Sequence, residues 1–259
     1  MNDVPLMQRD PVPLGAFAKL VLNEARLAWR SPRGLAFGIG LPVAMLVLFG
    51  ELPHFRQHPA SLGGLSRLDA EVPVLAAFVI AALALLVLAG PLTSYREQGI
   101  LRRMSTTPVR PGWLLAAQLI VSLALALIAL TVLFAVAVAA FGVAAPKGPG
   151  ALVLSLALCG CALFALGLFI AAVAPTSGSA MVIDAASFFS LIFLAGLWVP
   201  IQEMPTALQE ISHYTALGAA VQAAQDAMEG MFPPIRPLLV MAGWAVVFGL
   251  AAWRFFRWE

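Results

Sequence analysis

Few residues of this chain have types and spacings that could support catalysis or metal binding. A phosphate-binding loop needs glycines that bring backbone N–H groups against the phosphates, with a lysine after the last glycine. Here Lys147 precedes Gly148, which is the wrong order. His54 and His58 lie four positions apart in a loop with proline and glycine, and His213 stands alone. We therefore expect no catalytic residue, no metal site and no cofactor bound by this chain.

The most informative polar segment is residues 94–111. It interleaves charged residues with Ile100, Leu101 and Met104 and then carries two helix-breaking prolines, which predicts a short helix followed by a turn. At helical spacing the three apolar residues share one face, which suits docking into a groove on a partner while the arginines stay solvated. The alternative is a charge-rich loop that only fixes the topology of the chain.

The composition is that of a membrane protein. The 259 residues are 61% hydrophobic and 11% charged, and the mean hydropathy is +0.94. Soluble domains are roughly 45–50% apolar and about 25% charged. A membrane-spanning helix needs roughly 20 mostly apolar residues, because the hydrocarbon core offers backbone groups no hydrogen-bond partners. Several segments of this kind are present.

Long apolar runs predict an all-α integral membrane protein with six transmembrane helices. The first run is short and contains Pro42, and the third is longer than one span needs. We assign residues 1–33 to an N-terminal cytoplasmic or interfacial segment and residues 34–259 to a six-span domain. The predicted spans are residues 34–50, 73–92, 113–143, 151–174, 182–200 and 237–255.

Asp184 is the one acidic residue within the predicted spans, which makes it a candidate polar site inside the membrane with a role in transport or coupling. The alternative is structural. Asp184 follows the turn at 175–179 closely, and the helix dipole favours a carboxylate near a helix N-terminus. Cys159 and Cys161 lie in an apolar run, where free cysteine behaves as a small hydrophobic residue, so we expect neither a metal site nor a disulfide.

The distribution of positive charge predicts the orientation. Eleven of the fifteen Lys and Arg residues fall in the N-terminal segment, in the 93–112 loop and in the C-terminal tail, and the alternate loops hold the other four. The positive-inside rule then places both termini in the cytoplasm. Residues 1–33 lack the uninterrupted apolar stretch of about 7–15 residues that a secretory signal needs, so we expect the first span to remain as an anchor.

Residues 14–33 are too charged to span a membrane, but their pattern predicts an amphipathic helix on the inner membrane surface. An ordinary charged lead-in to the first span is the alternative. The apolar positions are Phe17, Val21, Ala25 and Ala28, opposite Lys19, Asn23, Arg26 and Arg30, with Trp29 at the interface.

The acidic segment between Pro200 and Pro237 predicts short external helices. Its Ala-rich centre, residues 217–228, either dips into the membrane under cover of protein or forms a plain external helix.

The 94–111 segment resembles the inner loop of type-2 ABC exporter permeases, whose pattern is E-x-G-T-L-x-x-L followed by T-P and a nearby proline. Ile100 replaces the usual threonine and Met104 the usual leucine, and both exchanges keep the apolar face. The matching residues are Glu97, Gly99, Leu101, Thr107, Pro108 and Pro111.

A second resemblance to the same family covers residues 193–200 and 211–222, which are similar to the end of the fifth span and the external helices. Ala216 stands where the family often has proline. The likeness extends over nearly the whole chain in segment order, and it is strongest to the drug-exporter-like permeases of actinobacteria.

The resemblance implies a half-transporter, in which two six-span chains form one pathway and two copies of a separate ABC ATPase subunit dock below. The second permease chain is another copy of this protein or a paralogue, and ATP and magnesium are bound by the ATPase. The surface helix near residues 14–33 and the loop helix near residues 95–105 would contact the ATPase. By resemblance, the ATPase-coupling residues are Arg96, Glu97, Gly99, Ile100, Leu101, Met104, Thr107, Pro108 and Pro111.

The same resemblance implies a location in the bacterial inner membrane, among membrane lipids, with no nucleic-acid partner. The cargo would be a hydrophobic drug, a lipid or a glycoconjugate. Two other classes remain as alternatives. A six-span secondary transporter or channel would ordinarily carry several ionisable or broken-helix sites in the membrane, and a membrane enzyme would need clustered acids or histidines near the interface.

Overall fold

The computed structural model describes residues 14–57, 66–98 and 111–255, and every regular element within these ranges is helical. This confirms the prediction of an all-α membrane protein. The helices are α1 (Leu14–Trp29), α2 (Pro32–Leu35), α3 (Leu41–Glu51), α4 (Arg67–Ala81), α5 (Ala89–Glu97), α6 (Pro111–Phe141), α7 (Pro149–Val173), α8 (Ser177–Leu194), α9 (Thr206–Tyr214), α10 (Ala216–Glu229) and α11 (Ile235–Phe255).

Two wide π-helical turns interrupt the first two apolar segments. One, Ala36–Gly40, joins α2 to α3, and the other, Ala82–Val87, leads from α4 towards α5. The two turns pack against each other, and a side chain at Gly38 would meet the Leu83 side chain. Small residues at such contacts let membrane helices approach closely.

Five of the described segments are long and apolar enough to cross a membrane, and Ala36–Glu51 is a shorter apolar helix. Each of these six segments overlaps one of the six predicted spans. The division of the chain at residue 34 stays a prediction. The five long segments are Arg67–Tyr95, Gly112–Phe141, Pro149–Val173, Ser177–Leu194 and Ile235–Phe255.

The helix that corresponds to the predicted span 182–200 is α8, and its bounds differ from the prediction. It begins at Ser177, because the Thr176 side chain accepts a hydrogen bond from the Ser179 amide and the Ser179 side chain accepts one from the Thr176 amide, which is a capping box. It ends at Leu194, because Gly196 has a φ of +92°, a conformation that continues no helix.

The segment formed by α4, the π-turn and α5 lies at the centre of the bundle. In its most apolar stretch of 18 residues, 89% of the residues are buried within the described protein. The corresponding share for α11, at the periphery, is 17%. A helix that is apolar on all sides suits such a central place. The other helices pack around it and leave their outer faces for lipid.

Long-range hydrogen bonds define the two ends of the bundle. At one end, which we call the α1 end, Tyr95 bonds Glu24 and Ser177 bonds Glu97. At the opposite end, which we call the α10 end, the Gly148 amide donates to a backbone carbonyl of α10.

The segment 200–237 forms short helices, and the structure shields the Ala-rich centre with protein. Helix α10 packs against α7, α11 and α4, and most of its residues are buried. It begins with the Thr215 side chain accepting from the Gly218 amide, and it ends at Gly230, whose φ is +89°. A side chain at Gly218 would collide with the Ser212 carbonyl, so glycine is required for this close approach.

Candidate coupling site at the α1 end

The last residue of α5, Glu97, binds the first residue of α8. The Ser177 amide donates to Glu97 Oε1 at 2.8 Å, and the Ser177 hydroxyl donates to Glu97 Oε2 at 2.6 Å. The contact is solvent-exposed. It joins two residues that are 80 positions apart in the chain.

This contact follows from the chemistry of helix ends. The first amides of a helix have no partner within the helix, and the helix dipole places partial positive charge there. The Thr176 side chain accepts a hydrogen bond from the Ser179 amide, and the Glu97 carboxylate accepts one from the Ser177 amide. The carboxylate therefore caps α8 from another helix.

The last turn of α5 is also hydrogen-bonded to the N-terminal helix, α1. The Tyr95 hydroxyl lies 3.1 Å and 3.4 Å from the two Glu24 carboxylate oxygens. Glu24 is 5% exposed, and this burial raises the pKa of its carboxyl, which the hydrogen bond from Tyr95 partly offsets.

The apolar face predicted for α1 packs on protein. Val21, Ala25 and Ala28 lie against the core, and the Phe17 ring meets the Trp113 ring of α6 edge-on at 5.2 Å. Trp29 is 64% exposed and stays available to the membrane interface.

The structure thus describes part of the predicted ATPase-coupling set. Arg96 and Glu97 end α5, and Pro111 begins α6. The other predicted residues of this set lie outside the described residues: Gly99, Ile100, Leu101, Met104, Thr107 and Pro108. The roles assigned to these residues stay predictions.

Sequence reasoning missed Glu24, Tyr95 and Ser177 as partners at this end. One signal was present for Glu24, which follows Val21 by three positions and so falls on the apolar face of α1. An acidic residue in such a stripe needs a partner when the face is buried.

Asp184 lies on the face of α8 that packs into the bundle. It is 3% exposed, and its Oδ1 atom is buried without a hydrogen-bond partner. Asp184 is the eighth residue of α8, whereas the helix dipole acts mainly within the first turn. The helix N-terminus therefore does not explain this carboxyl, and the membrane-buried position keeps it a functional candidate.

The α10 end is held by Asp69, which sequence reasoning also missed. Asp69 Oδ2 accepts from the Ser66 amide at 2.7 Å and completes a capping box at the start of α4. Asp69 Oδ1 accepts from the Ala144 amide at 2.9 Å in the loop between α6 and α7. Within the described ranges, no group of three His, Cys, Asp or Glu residues is placed to hold a metal ion.

A bundle of membrane-length apolar helices, with long-range polar contacts concentrated at its two ends, defines a multi-pass membrane protein. The family model described as ABC-2 type transporter matches residues 16–229, and the chain belongs to this family. The matched range runs from α1 through α10. The protein is accordingly a transmembrane subunit of an ABC transporter, which confirms the resemblance found in the sequence. A comparison with curated proteins gives no match.

Proposed function

We propose that this protein is the permease subunit of an ATP-driven bacterial exporter, with both termini in the cytoplasm. Two permease chains, identical or paralogous, form the pathway, and two copies of a separate ABC ATPase bind ATP and magnesium. The chain itself performs no bond chemistry. The cargo is a hydrophobic drug, a lipid or a glycoconjugate.

The observation that supports this proposal most directly is the placement of α5. Its last turn binds α1 through Tyr95 and α8 through Glu97, and the segment 99–110 follows immediately. That segment carries the pattern of the exporter inner loop. A loop moved by an ATPase would therefore pull on a helix end that is already bonded to two other helices.

The coupling then follows from differential binding. ATP draws the two ATPase subunits together, and the docked loops favour one arrangement of the spans over the other, because a ligand shifts an equilibrium only by its difference in affinity for the two states. In this mechanism Glu97 is a positioning residue that links the loop to α8. Ile100, Leu101 and Met104 supply the apolar face that docks on the ATPase.

The first experiment is a pull-down of the tagged chain from its native membrane. We expect an ATPase subunit to co-purify, and we expect its recovery to fall when Leu101 and Met104 are changed to glutamate. The matched control changes Met231 and Phe232 to glutamate, because both are exposed apolar residues of the loop between α10 and α11, outside the spans. A chain that is isolated alone from several detergents would contradict the proposal.

A second experiment tests coupling in proteoliposomes that contain the permease and its ATPase. The Glu97→Ala, Gly99→Ala double variant should insert normally and lose ATP-dependent transport. Normal ATP-dependent transport by this variant would remove the coupling role of both residues.

Asp184 supports a second candidate function, in which this member of the family departs from the usual mechanism and works as a six-span secondary transporter without an ATPase partner. A carboxyl that is 3% exposed within a span and has an unpartnered oxygen is the type of site that proton-coupled and ion-coupled transporters use. Asp184→Asn decides between the two. Transport that needs no ATPase and stops in this variant would favour the secondary transporter, whereas ATP-dependent transport that persists would favour the exporter.

A further inference from the structure

A long apolar groove separates α6 from α7 and α11. Helices α6 and α7 follow each other in the chain, yet their described residues hardly pack together, and both rest instead on α4. The space between them has a volume of about 1170 Å³. Its lining on α6 runs from Leu115 to Val138, which at 1.5 Å per residue is about 35 Å. That length is close to the thickness of a bilayer core, about 30 Å.

The lining of the groove offers almost no polar group. None of the described residues that line it is charged. The Thr131 hydroxyl donates to the Leu127 carbonyl at 2.7 Å, so this donor needs no hydrogen-bond acceptor on the molecule that occupies the groove. Water does not enter an apolar space of this kind favourably, and an empty space would forfeit dispersion contacts along its whole length. The occupant must therefore be apolar throughout.

The shape of the groove favours a flexible chain over a helix. Its floor contains small or buried residues such as Gly160 and Ala252, and its rim carries bulky exposed residues, Leu127 and Val153, each 67% exposed. Helices associate closely in membranes where small residues let the backbones approach. Here the bulky rim keeps a second helix away from the small residues, whereas a hydrocarbon chain can reach them.

Trp253 lines the groove near the α1 end and is 81% exposed. Tryptophan concentrates at the level of lipid headgroups, because its ring is apolar and its N–H is polar. From these observations we infer that the groove between α6, α7 and α11 binds the acyl chains of a membrane phospholipid, whose headgroup lies near Trp253. This lipid is a resident structural component that fills the gap between two spans, distinct from any transported cargo.

Cys161 allows a direct test, because it lines the groove, is exposed, and is one of only two cysteines in the chain. A Cys159→Ala variant leaves Cys161 as the single site for a nitroxide label. After reconstitution in phospholipid vesicles, collision of the label with oxygen should exceed collision with a water-soluble nickel chelate. Dominant collision with the chelate would mean a water-filled groove, and a label that neither reagent reaches would mean a protein occupant. Either result would overturn the inference.

Lipid retention separates a resident lipid from the surrounding bilayer. Ala157 lines the groove and is exposed, and Ala135 is exposed on α6 outside it. We expect Ala157→Leu to reduce the phospholipid that co-purifies with the chain, measured by mass spectrometry, about fivefold or more, because the added side chain projects into the space that the acyl chains occupy. Ala135→Leu should retain it. Equal retention in both variants, or a retained species other than the phospholipids of the vesicle, would refute a resident membrane lipid.

Discussion

The hydrogen bonds between Glu97 and Ser177 give the sharpest test of how this permease is coupled. The perturbation is a double-mutant cycle that consists of Glu97→Ala, Ser177→Ala and the two combined. Ser177→Ala removes the hydroxyl bond of 2.6 Å and leaves the amide bond of 2.8 Å in place, whereas Glu97→Ala removes both. The cycle therefore isolates the contact of one hydroxyl with one carboxylate oxygen.

The magnitude follows from the geometry. Both bonds are short and charge-assisted, which by itself would give about 1.5–3 kcal/mol each, but the contact is exposed to solvent. We therefore expect about 0.5–1 kcal/mol for the hydroxyl bond and about 1–2 kcal/mol for the loss of the whole cap. As a coupling energy, about 0.5–1 kcal/mol corresponds to a factor of about 2–5 in rate.

The assay is ATP-driven transport in proteoliposomes at fixed ATPase content, and the rates of the four chains give the coupling energy. Ser190→Ala, an exposed serine on α8 more than three turns further along, serves as the control and should transport like the parent chain. Chain content after purification and the thermal midpoint in detergent separate a loss of coupling from a loss of folded protein.

Additive effects of the two single changes, within about 0.3 kcal/mol, would refute the reasoning. That outcome would show that Glu97 affects transport without its contact to α8, for example by direct contact with the ATPase. Parent-like transport by Glu97→Ala would be more damaging, since it would remove Glu97 from the coupling mechanism altogether.

Three other predictions concern the fold that supports this site. Burial raises the pKa of Glu24 above its ordinary value of 4.5, so docking of α1 on Tyr95 should be strongest below that pH and weaken as pH rises through the raised pKa. Glu24→Gln should abolish this pH dependence, measured by the mobility of a spin label on α1. Gly167→Ala should cost about 1–3 kcal/mol, because the new Cβ would collide with the Ala84 carbonyl, and the thermal midpoint should fall. Asp69→Ala should cost about 2–4 kcal/mol in the same measurement, because it removes the carboxylate that accepts from the Ser66 amide and hydroxyl in the capping box of α4, together with the bond to the α6–α7 loop.

Each of these predictions has a matched control or a contradicting result. An unchanged pH dependence in Glu24→Gln would assign the effect to another group. Gly160→Ala has only the Phe164 ring at 3.9 Å and should be nearly neutral, so an equal loss at Gly160 and Gly167 would contradict the close-contact argument. An Asp69→Ala chain with the parent thermal midpoint would show that the bond to the Ala144 amide contributes nothing.

The six helical segments could be predicted because hydrocarbon imposes both a length and an apolar composition on a spanning helix. Local capping decides where such a helix ends, and apolarity does not report it. Helix α8 illustrates this limit. Its apolar run suggested 182–200, but the Thr176 cap moved its start to Ser177 and the backbone of Gly196 ended it at Leu194.

The candidate site was only partly predictable for a different reason. The pattern around Glu97 singled out this residue as a coupling candidate, but nothing local in the sequence pairs it with Ser177, 80 positions away on another helix. The role of Glu24 was closer to being predictable. Its place in the apolar stripe of α1 was visible, whereas the identity of its partner depends on how α1 packs across α5 and α6.

The spacing of the two contacts on α5 explains why they reach two different helices. Tyr95 and Glu97 are two positions apart, and residues at that spacing point to different sides of a helix, so one reaches α1 while the other reaches α8. At its other end α5 leads back to the π-turn Ala82–Val87, a wider turn of the kind that often marks functional positions in helices. Helix α5 thus connects a wide turn to the loop that we propose docks on the ATPase. Because α5 is hydrogen-bonded to α1 and to α8, displacement of the loop either moves both helices together or breaks one of these two contacts. The variants at Glu24 and Ser177 distinguish these outcomes.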